Sequence, residues 1–184
     1  NGIDIGITCD ESSRIEKILL PSNNLSGPIP NEFKALASLV EVDISKNNIG
    51  GELPESIGDL RNLKSFNAAN NKLAGNLPSS LGNLSFLRVL NLKDNNLTGK
   101  IPPEVSRLGS LSWLWLSGNE FTGGMNNFCD SEHRPFLRDR KLRSHISTFY
   151  ADCSGMTSPS AGASVQCDCC THCCNAGTCE PNSS

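Results

Sequence analysis

The feature that most constrains this chain is a spacing of 24 residues that recurs through most of its length. Five segments share one register, with apolar residues at the first, fourth and sixth positions, an asparagine at the ninth and a glycine at the thirteenth. These segments begin at Ile15, Leu39, Leu63, Leu87 and Leu111. A fixed period of this length is typical of stacked repeats, none of which buries its apolar face alone. The spacing therefore predicts a solenoid.

Each part of the register predicts a local structure. Apolar residues at alternate positions predict a short strand, and stacking such strands makes a parallel sheet. The asparagine follows the strand, where its side chain can satisfy backbone groups that the turn would otherwise bury unpaired. Glycine allows a bend, and the proline that follows it in four segments restricts the returning chain. We interpret one column as structural rather than ligand-binding: Asn23, Asn47, Asn71, Asn95 and Asn119.

The full register, L-x-x-L-x-L-x-x-N-x-L-x-G-x-[IL]-P, runs from Ile15 to about Phe128. It resembles the plant-type leucine-rich repeat of plant receptor ectodomains and polygalacturonase-inhibiting proteins. The resemblance implies a leucine-rich-repeat solenoid, a right-handed superhelix with short parallel strands and a convex side of 3-10 or irregular structure. Five 24-residue repeats precede a sixth strand that arrives late, at Ile146, Phe149 and Ala151.

The chain divides into three predicted parts. Residues 1–14 are a remnant of an N-terminal cap, 15–128 the solenoid, and 129–184 a disulfide-rich C-terminal cap with an inserted basic segment at 130–145. A solvated face is the simpler interpretation of the insert, and an acidic partner is the alternative. The sequence begins without a basic and apolar leader, so we expect that any signal peptide has been removed.

The N-terminal segment Gly6-Ile7-Thr8-Cys9-Asp10 resembles the end of the W-x-G-[VI]-x-C-D cap of plant-type repeats. In that family the second cap cysteine pairs with one a few residues upstream, which this sequence does not contain. The resemblance implies that Cys9 has lost its partner or pairs with another chain. The alternative is a buried free thiol.

The other eight cysteines, all from residue 129 onward, predict disulfides and an oxidising compartment. Their pattern, F-C, A-D-C and then C-x-C-C-T-x-C-C, resembles the C-terminal cap of secreted or surface leucine-rich-repeat proteins from diatoms and related algae. A thiolate metal cluster is the alternative, but we expect no metal because disulfides suit the compartment. The connectivity stays open among Cys129, Cys153, Cys167, Cys169, Cys170, Cys173, Cys174 and Cys179.

Four N-x-[ST] sequons also favour an extracellular or cell-surface chain. Their acceptor asparagines are Asn24, Asn83, Asn96 and Asn182. The repeat register generates the first and third by itself, so each sequon is weak evidence alone. Asn24 and Asn96 follow ladder asparagines, and we expect both side chains to be accessible.

The candidate ligand site lies on the concave face, where the strand positions that are not core point outward. Both tryptophans and the one tyrosine of the chain fall on such positions near the C-terminal end. Aromatic side chains are favoured interface anchors. The alternative is that the insert or tail covers them as core. The predicted site comprises Asp43, Asn67, Asn91, Lys93, Trp113, Trp115 and Tyr150.

Composition excludes several functions. The net charge of -3 argues against nucleic acid. No run of about 18 apolar residues predicts a membrane span. The three histidines have no nucleophile or acid–base partner beside them, so we expect neither an enzyme nor a cofactor.

We therefore predict a secreted or surface module that binds a protein, peptide or glycan. The alternative is a structural or adhesive protein that assembles into homo-oligomers or fibres, with Cys9 as a cross-link.

Overall fold

One short strand from each repeat contributes to a long sheet. The computed structural model describes residues 6–122, together with the strands at 148–152, 172–175 and 178–181, and this sheet has nine strands. In spatial order they are β1 (Gly6–Cys9), β2 (Ile15–Leu19), β4 (Glu41–Asp43), β6 (Ser65–Asn67), β8 (Val89–Asn91), β10 (Trp113–Trp115), β12 (Thr148–Asp152), β13 (His172–Asn175) and β14 (Thr178–Pro181).

The sheet is parallel from β2 to β13, and an antiparallel strand closes each end. Neighbouring strands of the repeats pair at a spacing of 24 residues, so that Glu41 lies opposite Ser65 and Ser65 opposite Val89. The late sixth strand is confirmed, because β12 pairs with β10 and places Thr148 beside Trp113. Strands β13 and β14 extend the same sheet into the predicted C-terminal cap.

A second parallel sheet, which the repeat pattern does not predict, follows the ladder asparagines. Its strands are β3 (Ser26–Pro28), β5 (Asn48–Glu52), β7 (Lys72–Gly75), β9 (Asn96–Gly99) and β11 (Glu120–Phe121). The corner before each of three strands is a residue with positive φ, namely Lys46, Asn70 and Asp94 at 55°, 56° and 53°. Strands β5, β7, β9 and β11 each contain a single buried core residue, too few for an alternating apolar pattern to show: Ile49, Leu73, Leu97 and Phe121.

The return of each coil is a 3-10 helix of five residues, as the resemblance implies. The four helices are η1 (Asn31–Ala35), η2 (Glu55–Asp59), η3 (Ser79–Asn83) and η4 (Pro103–Arg107). Each follows an extended proline that cannot continue the strand ladder. Successive helices stack closely: a Cβ added to Gly82 would lie 2.8 Å from the Cβ of Glu104 in the next coil.

The core is continuous between the sheets and the 3-10 helices. Leu39, Leu63, Leu87 and Leu111 are fully buried. The first coil differs, because only β1 precedes it in the described part of the chain. Five of its apolar residues are therefore only partly buried, although Ile18 and Ile29 are buried: Ile15, Leu20, Leu25, Phe33 and Leu36.

The ladder asparagines bond backbone groups on both sides of a coil boundary. The Asn71 side-chain oxygen accepts a hydrogen bond from the backbone N–H of Ile49 at 3.0 Å. Its amide nitrogen donates to the carbonyls of Ile44 at 3.0 Å and Ala68 at 3.1 Å. Asn47, Asn95 and Asn119 make equivalent bonds.

Asn23 differs from the other four ladder positions. It is exposed, since β1 rather than another parallel coil lies beside its coil.

In the ranges described above, no helix has the length and apolar character needed to cross a membrane. The basic segment at 130–145 lies outside those ranges.

Candidate binding face of the long sheet

Outward-pointing residues of four central strands form the candidate site. Each strand has three residues, of which the middle one is buried and the outer two face away from the core. We call these outer positions the sheet face: Glu41, Asp43, Ser65, Asn67, Val89, Asn91, Trp113 and Trp115. With Val40, Lys64 and Arg88 they line an open trough of about 570 Å³. A trough of this size lies in the range of ordinary ligand sites.

The two indoles form the apolar end of the trough. The ring centroids of Trp113 and Trp115 lie 6.0 Å apart, with the planes tilted by 43°. That separation is within the range of favourable aromatic pairs. Trp113 is 45% exposed, whereas Trp115 is half-buried. Trp113 is therefore the more exposed of the two rings, and the insert and most of the tail that the sequence offered as an alternative cover lie outside the described residues.

The polar residues of the sheet face are already engaged with the fold. The Asp43 Oδ1 accepts bonds from the Ser45 backbone N–H at 2.9 Å and hydroxyl at 2.6 Å. In the next two coils, Asn67 and Asn91 each accept from the backbone N–H two residues later. These are local turns of a kind common for Asx side chains. This structural role was not predicted from the sequence, where its signal is the Asx residue repeated two positions before the turn.

Trp115 takes the place of that Asx residue in the fifth coil. The hydroxyl of Ser117, two residues later, is buried and has no hydrogen-bond partner among the described residues. By contrast, the equivalent Ser45 hydroxyl is bonded to Asp43. The fifth coil thus lacks this local Asx bond and presents an indole at the same position.

Charge is distributed unevenly around the trough. The Glu41 carboxylate pairs with the Lys17 ammonium at 3.4 Å, both half-exposed, so the acidic end is partly neutralised. Lys64 and Arg88 are exposed on one flank. Lys93, predicted to share this site, does not line the trough, and its ammonium lies 3.7 Å from the carboxylate of Asp94.

The backbone register extends the column of Trp115 into the C-terminal strands. Tyr150 pairs in register with Trp115, and His172 pairs with Tyr150. Tyr150 was predicted from the sequence as part of the binding site, whereas His172 was not. His172 lies in the cysteine-rich segment, where no repeat register is visible.

Modification sites predicted from the sequence fall on both described and undescribed residues. Asn24, Asn83 and Asn96 are exposed. Asn182 lies outside the described residues, as do Cys129, Cys153, Cys167, Cys169 and Cys170. The strands β13 and β14 carry the other three: Cys173, Cys174 and Cys179.

Cys9 is a free thiol on the exposed side of β1. The alternative of a buried thiol is therefore wrong, because β1 is the edge strand and nothing in the described chain covers this position.

Among the side chains at 6–122, no three His, Cys, Asp or Glu residues are arranged to hold a metal ion.

Comparison with known proteins identifies the repeat. The Leucine Rich Repeat family matches residues 38–60, 62–84 and 86–108. Among curated protein sequences nothing matches this chain.

Solved structures of plant receptors are similar to it. The BIR2 ectodomain from Arabidopsis thaliana is 32% identical with a TM-score of 0.65, over 77% of this chain and 79% of that one. A chain of the BIR3–SERK2 complex from the same plant is 37% identical with a TM-score of 0.62, over 65% of each chain.

A third similar structure belongs to a longer receptor. The Arabidopsis receptor kinase HAESA, solved with the peptide hormone IDA and the co-receptor SERK1, is 27% identical with a TM-score of 0.58. The match covers 60% of this chain and 18% of that one, so the chain spans a small part of such a receptor. The shared register, two-sheet coil and ectodomain matches show that this chain belongs to the leucine-rich-repeat family, with repeats of the plant type found in receptor ectodomains.

Proposed function

We propose that this chain is an extracellular recognition module that binds an extended peptide, or a protein segment, along the sheet face. The observation that carries the proposal is the tryptophan pair at one end of an open polar trough. Indole side chains supply much of the binding energy in many protein interfaces. They lose little conformational entropy on binding, because each has only two side-chain torsions.

The remainder of the trough favours a peptide over a sugar. The oxygens of Asp43, Asn67 and Asn91 are committed to local bonds, so few polar groups are left to orient a ring of hydroxyls. The flank offers the cations Lys64 and Arg88. A partner with an apolar or aromatic residue for the tryptophans and an acidic residue for this flank is complementary to both. Similar ectodomains solved with protein or peptide-hormone partners support this class of ligand.

A selection from a random peptide library tests the proposal. The immobilised full chain is expected to enrich peptides that combine an aromatic or large apolar residue with Asp or Glu. The double variant Trp113→Ala/Trp115→Ala is expected to lose this enrichment while keeping a cooperative thermal unfolding transition. A matched control is Phe86→Ala, which removes another exposed ring, 56% exposed, outside the trough. Equal enrichment by wild type and double variant contradicts the proposal. Binding to glycans on an array, with no binding to any peptide of the library, also contradicts it.

A second candidate, self-association, is favoured by the N-terminal edge strand. Cys9 is a free exposed thiol, and Ile7 on the same strand is 57% exposed. Both lie beside the incompletely buried first coil. Gel filtration with and without reductant checks this function. A disulfide-linked dimer that disappears in Cys9→Ser supports it, and a monomer under both conditions excludes it.

A further inference from the structure

The last two strands of the long sheet place two cysteines directly opposite each other. Strands β13 and β14 are antiparallel, with His172 opposite Pro181, Cys173 opposite Glu180, Cys174 opposite Cys179 and Asn175 opposite Thr178. Only two residues of sequence, Ala176 and Gly177, separate the strands. We propose that Cys174 and Cys179 form a disulfide bond across this hairpin.

The pairing type at this register suits a disulfide. In a hairpin with a two-residue connection, the residues that flank the connection exchange both backbone hydrogen bonds. Those residues are Asn175 and Thr178, so the next pair, Cys174 and Cys179, is a non-hydrogen-bonded pair. Cα atoms of such pairs lie about 4.5 Å apart. Disulfides span Cα separations of about 4.4–6.8 Å, so the bond needs no displacement of the backbone.

The register also selects between neighbouring cysteines. Cys173 lies opposite Glu180, one position away from Cys179. Successive strand residues alternate between the two faces of a sheet. A Cys173–Cys179 bond would therefore require a one-residue slip that moves every residue of β14 to the other face. Sequence spacing alone leaves 105 possible connectivities for eight cysteines. The strand register assigns one of these bonds directly.

The chemistry is a thiol–disulfide exchange with a small-molecule disulfide as oxidant. One cysteine thiolate attacks the oxidant and releases one small thiol. The second thiolate attacks the mixed disulfide and releases the other. Two cysteine thiols lose two protons and two electrons in total, and one molecule of oxidant is reduced to two thiols.

The bond would secure the C-terminal end of the long sheet. In the described part of the chain β14 is the outermost strand of the sheet. One of its edges pairs with β13, and the other edge pairs with no described strand. Unpaired edge strands are sites of fraying and of aberrant strand pairing. A covalent link two residues from the turn holds β14 on β13 and thereby caps the solenoid.

Peptide mapping of the full chain tests the assignment. The protein is oxidised in a glutathione buffer, its remaining thiols are alkylated, and it is digested without reductant by thermolysin. Electron-transfer fragmentation is expected to find the Cys174 and Cys179 peptides linked to each other. Linkage of either cysteine to a different residue overturns the proposal. So does alkylation of both, or recovery of both as thiols on a bound zinc ion.

Three single variants provide an independent measurement on the same chain. In Cys174→Ser, the thiol of Cys179 is expected to become reactive to a maleimide, which adds one label at that residue. Cys179→Ser is expected to expose Cys174 in the same way. The matched control Cys173→Ser is expected to leave both unlabelled. Labelling of Cys179 in the control rather than in Cys174→Ser contradicts the pairing.

Discussion

The side-chain amide of Asn67 donates a hydrogen bond to the Asp43 carboxylate, 24 residues earlier and one strand away, at 3.1 Å. The other Asp43 oxygen is bonded to the backbone and hydroxyl of Ser45. The polar part of the sheet face is thus a bonded network within the fold. Substitutions there change stability as well as any ligand contact, and the tryptophans are the cleaner probes of binding.

Asp43→Ala is expected to destabilise the chain by about 1–3 kcal/mol, since it removes acceptors from partly buried donors. Asp43→Asn keeps a local acceptor and is expected to cost less. Chemical denaturation followed by circular dichroism measures both. Equal losses for the two variants would show that the charge, not the local turn, is what matters.

Asn71→Ala is expected to be damaging, because the buried N–H of Ile49 loses this acceptor and the carbonyls of Ile44 and Ala68 each lose one of two asparagine donors. An unsatisfied buried group costs about 1–3 kcal/mol, so a loss in this range is expected. Asn96→Ala, at an exposed asparagine, is the matched control and is expected to change stability by less than about 0.5 kcal/mol. The same denaturation experiment compares them; similar losses for the two variants would falsify the structural role of the ladder.

Gly82→Ala tests the close stacking of the 3-10 helices. The new methyl group would meet the backbone carbonyl of Glu104, which cannot move without shifting its coil. Overpacking of this kind costs about 1–3 kcal/mol. A Cβ at Gly109, one coil further on, meets no atom of the described residues within 4 Å, so Gly109→Ala is the control. Thermal unfolding should separate the two variants, and an equal melting temperature would contradict the stacking.

The indole pair predicts a spectroscopic signal. Two rings 6.0 Å apart and tilted by 43° are close enough for their electronic transitions to couple. The chain has only 2 tryptophans, so no other indole obscures the effect. Far-ultraviolet circular dichroism of wild type is expected to contain an exciton couplet that both Trp113→Phe and Trp115→Phe remove. Persistence of the couplet in either variant would show that the rings do not face each other.

Asp10 predicts a pH effect at the turn between β1 and β2. The pKa of its carboxyl lies below the ordinary value of 3.8, mainly because the Arg14 backbone N–H donates to it, with further help from the Arg14 side chain and the Ser12 N–H. A lowered pKa stabilises the fold above that ordinary value, and this contribution is lost as the pH falls through the folded-state pKa.

The melting temperature of wild type should therefore exceed that of Asp10→Asn at neutral pH, with a gap that narrows only below about pH 4. A gap that is constant down to the most acidic pH at which the chain folds would exclude the carboxylate as its cause.

The parallel sheet and its 24-residue register were predictable, because the same apolar spacing recurs five times. The second sheet was not, since pairing there involves backbone groups and leaves one core residue per coil as its only trace. The aromatic site was predicted from Trp113 and Trp115, because the equivalent strand positions of the other four repeats are not aromatic. The engagement of Asp43 and Asn67 was missed because a local Asx turn and a ligand contact use the same residue types. His172 was missed because its register follows from strand pairing, which its cysteine-rich surroundings do not reveal.

The ladder bonds also give the solenoid a direction. The oxygen of Asn71 serves the N–H of Ile49, that of Asn95 serves Leu73, and that of Asn119 serves Leu97, always in the coil before. Each turn is thus completed by a side chain that the ribosome adds 22 residues later. During synthesis, this backbone N–H therefore lacks its asparagine acceptor until the next coil has been made and has packed against it. Shortening the chain from the C-terminal side therefore leaves a backbone N–H in the last turn without its asparagine acceptor. Shortening it from the N-terminal side instead leaves an asparagine side-chain amide without its backbone partner, and water can hydrogen-bond to that amide.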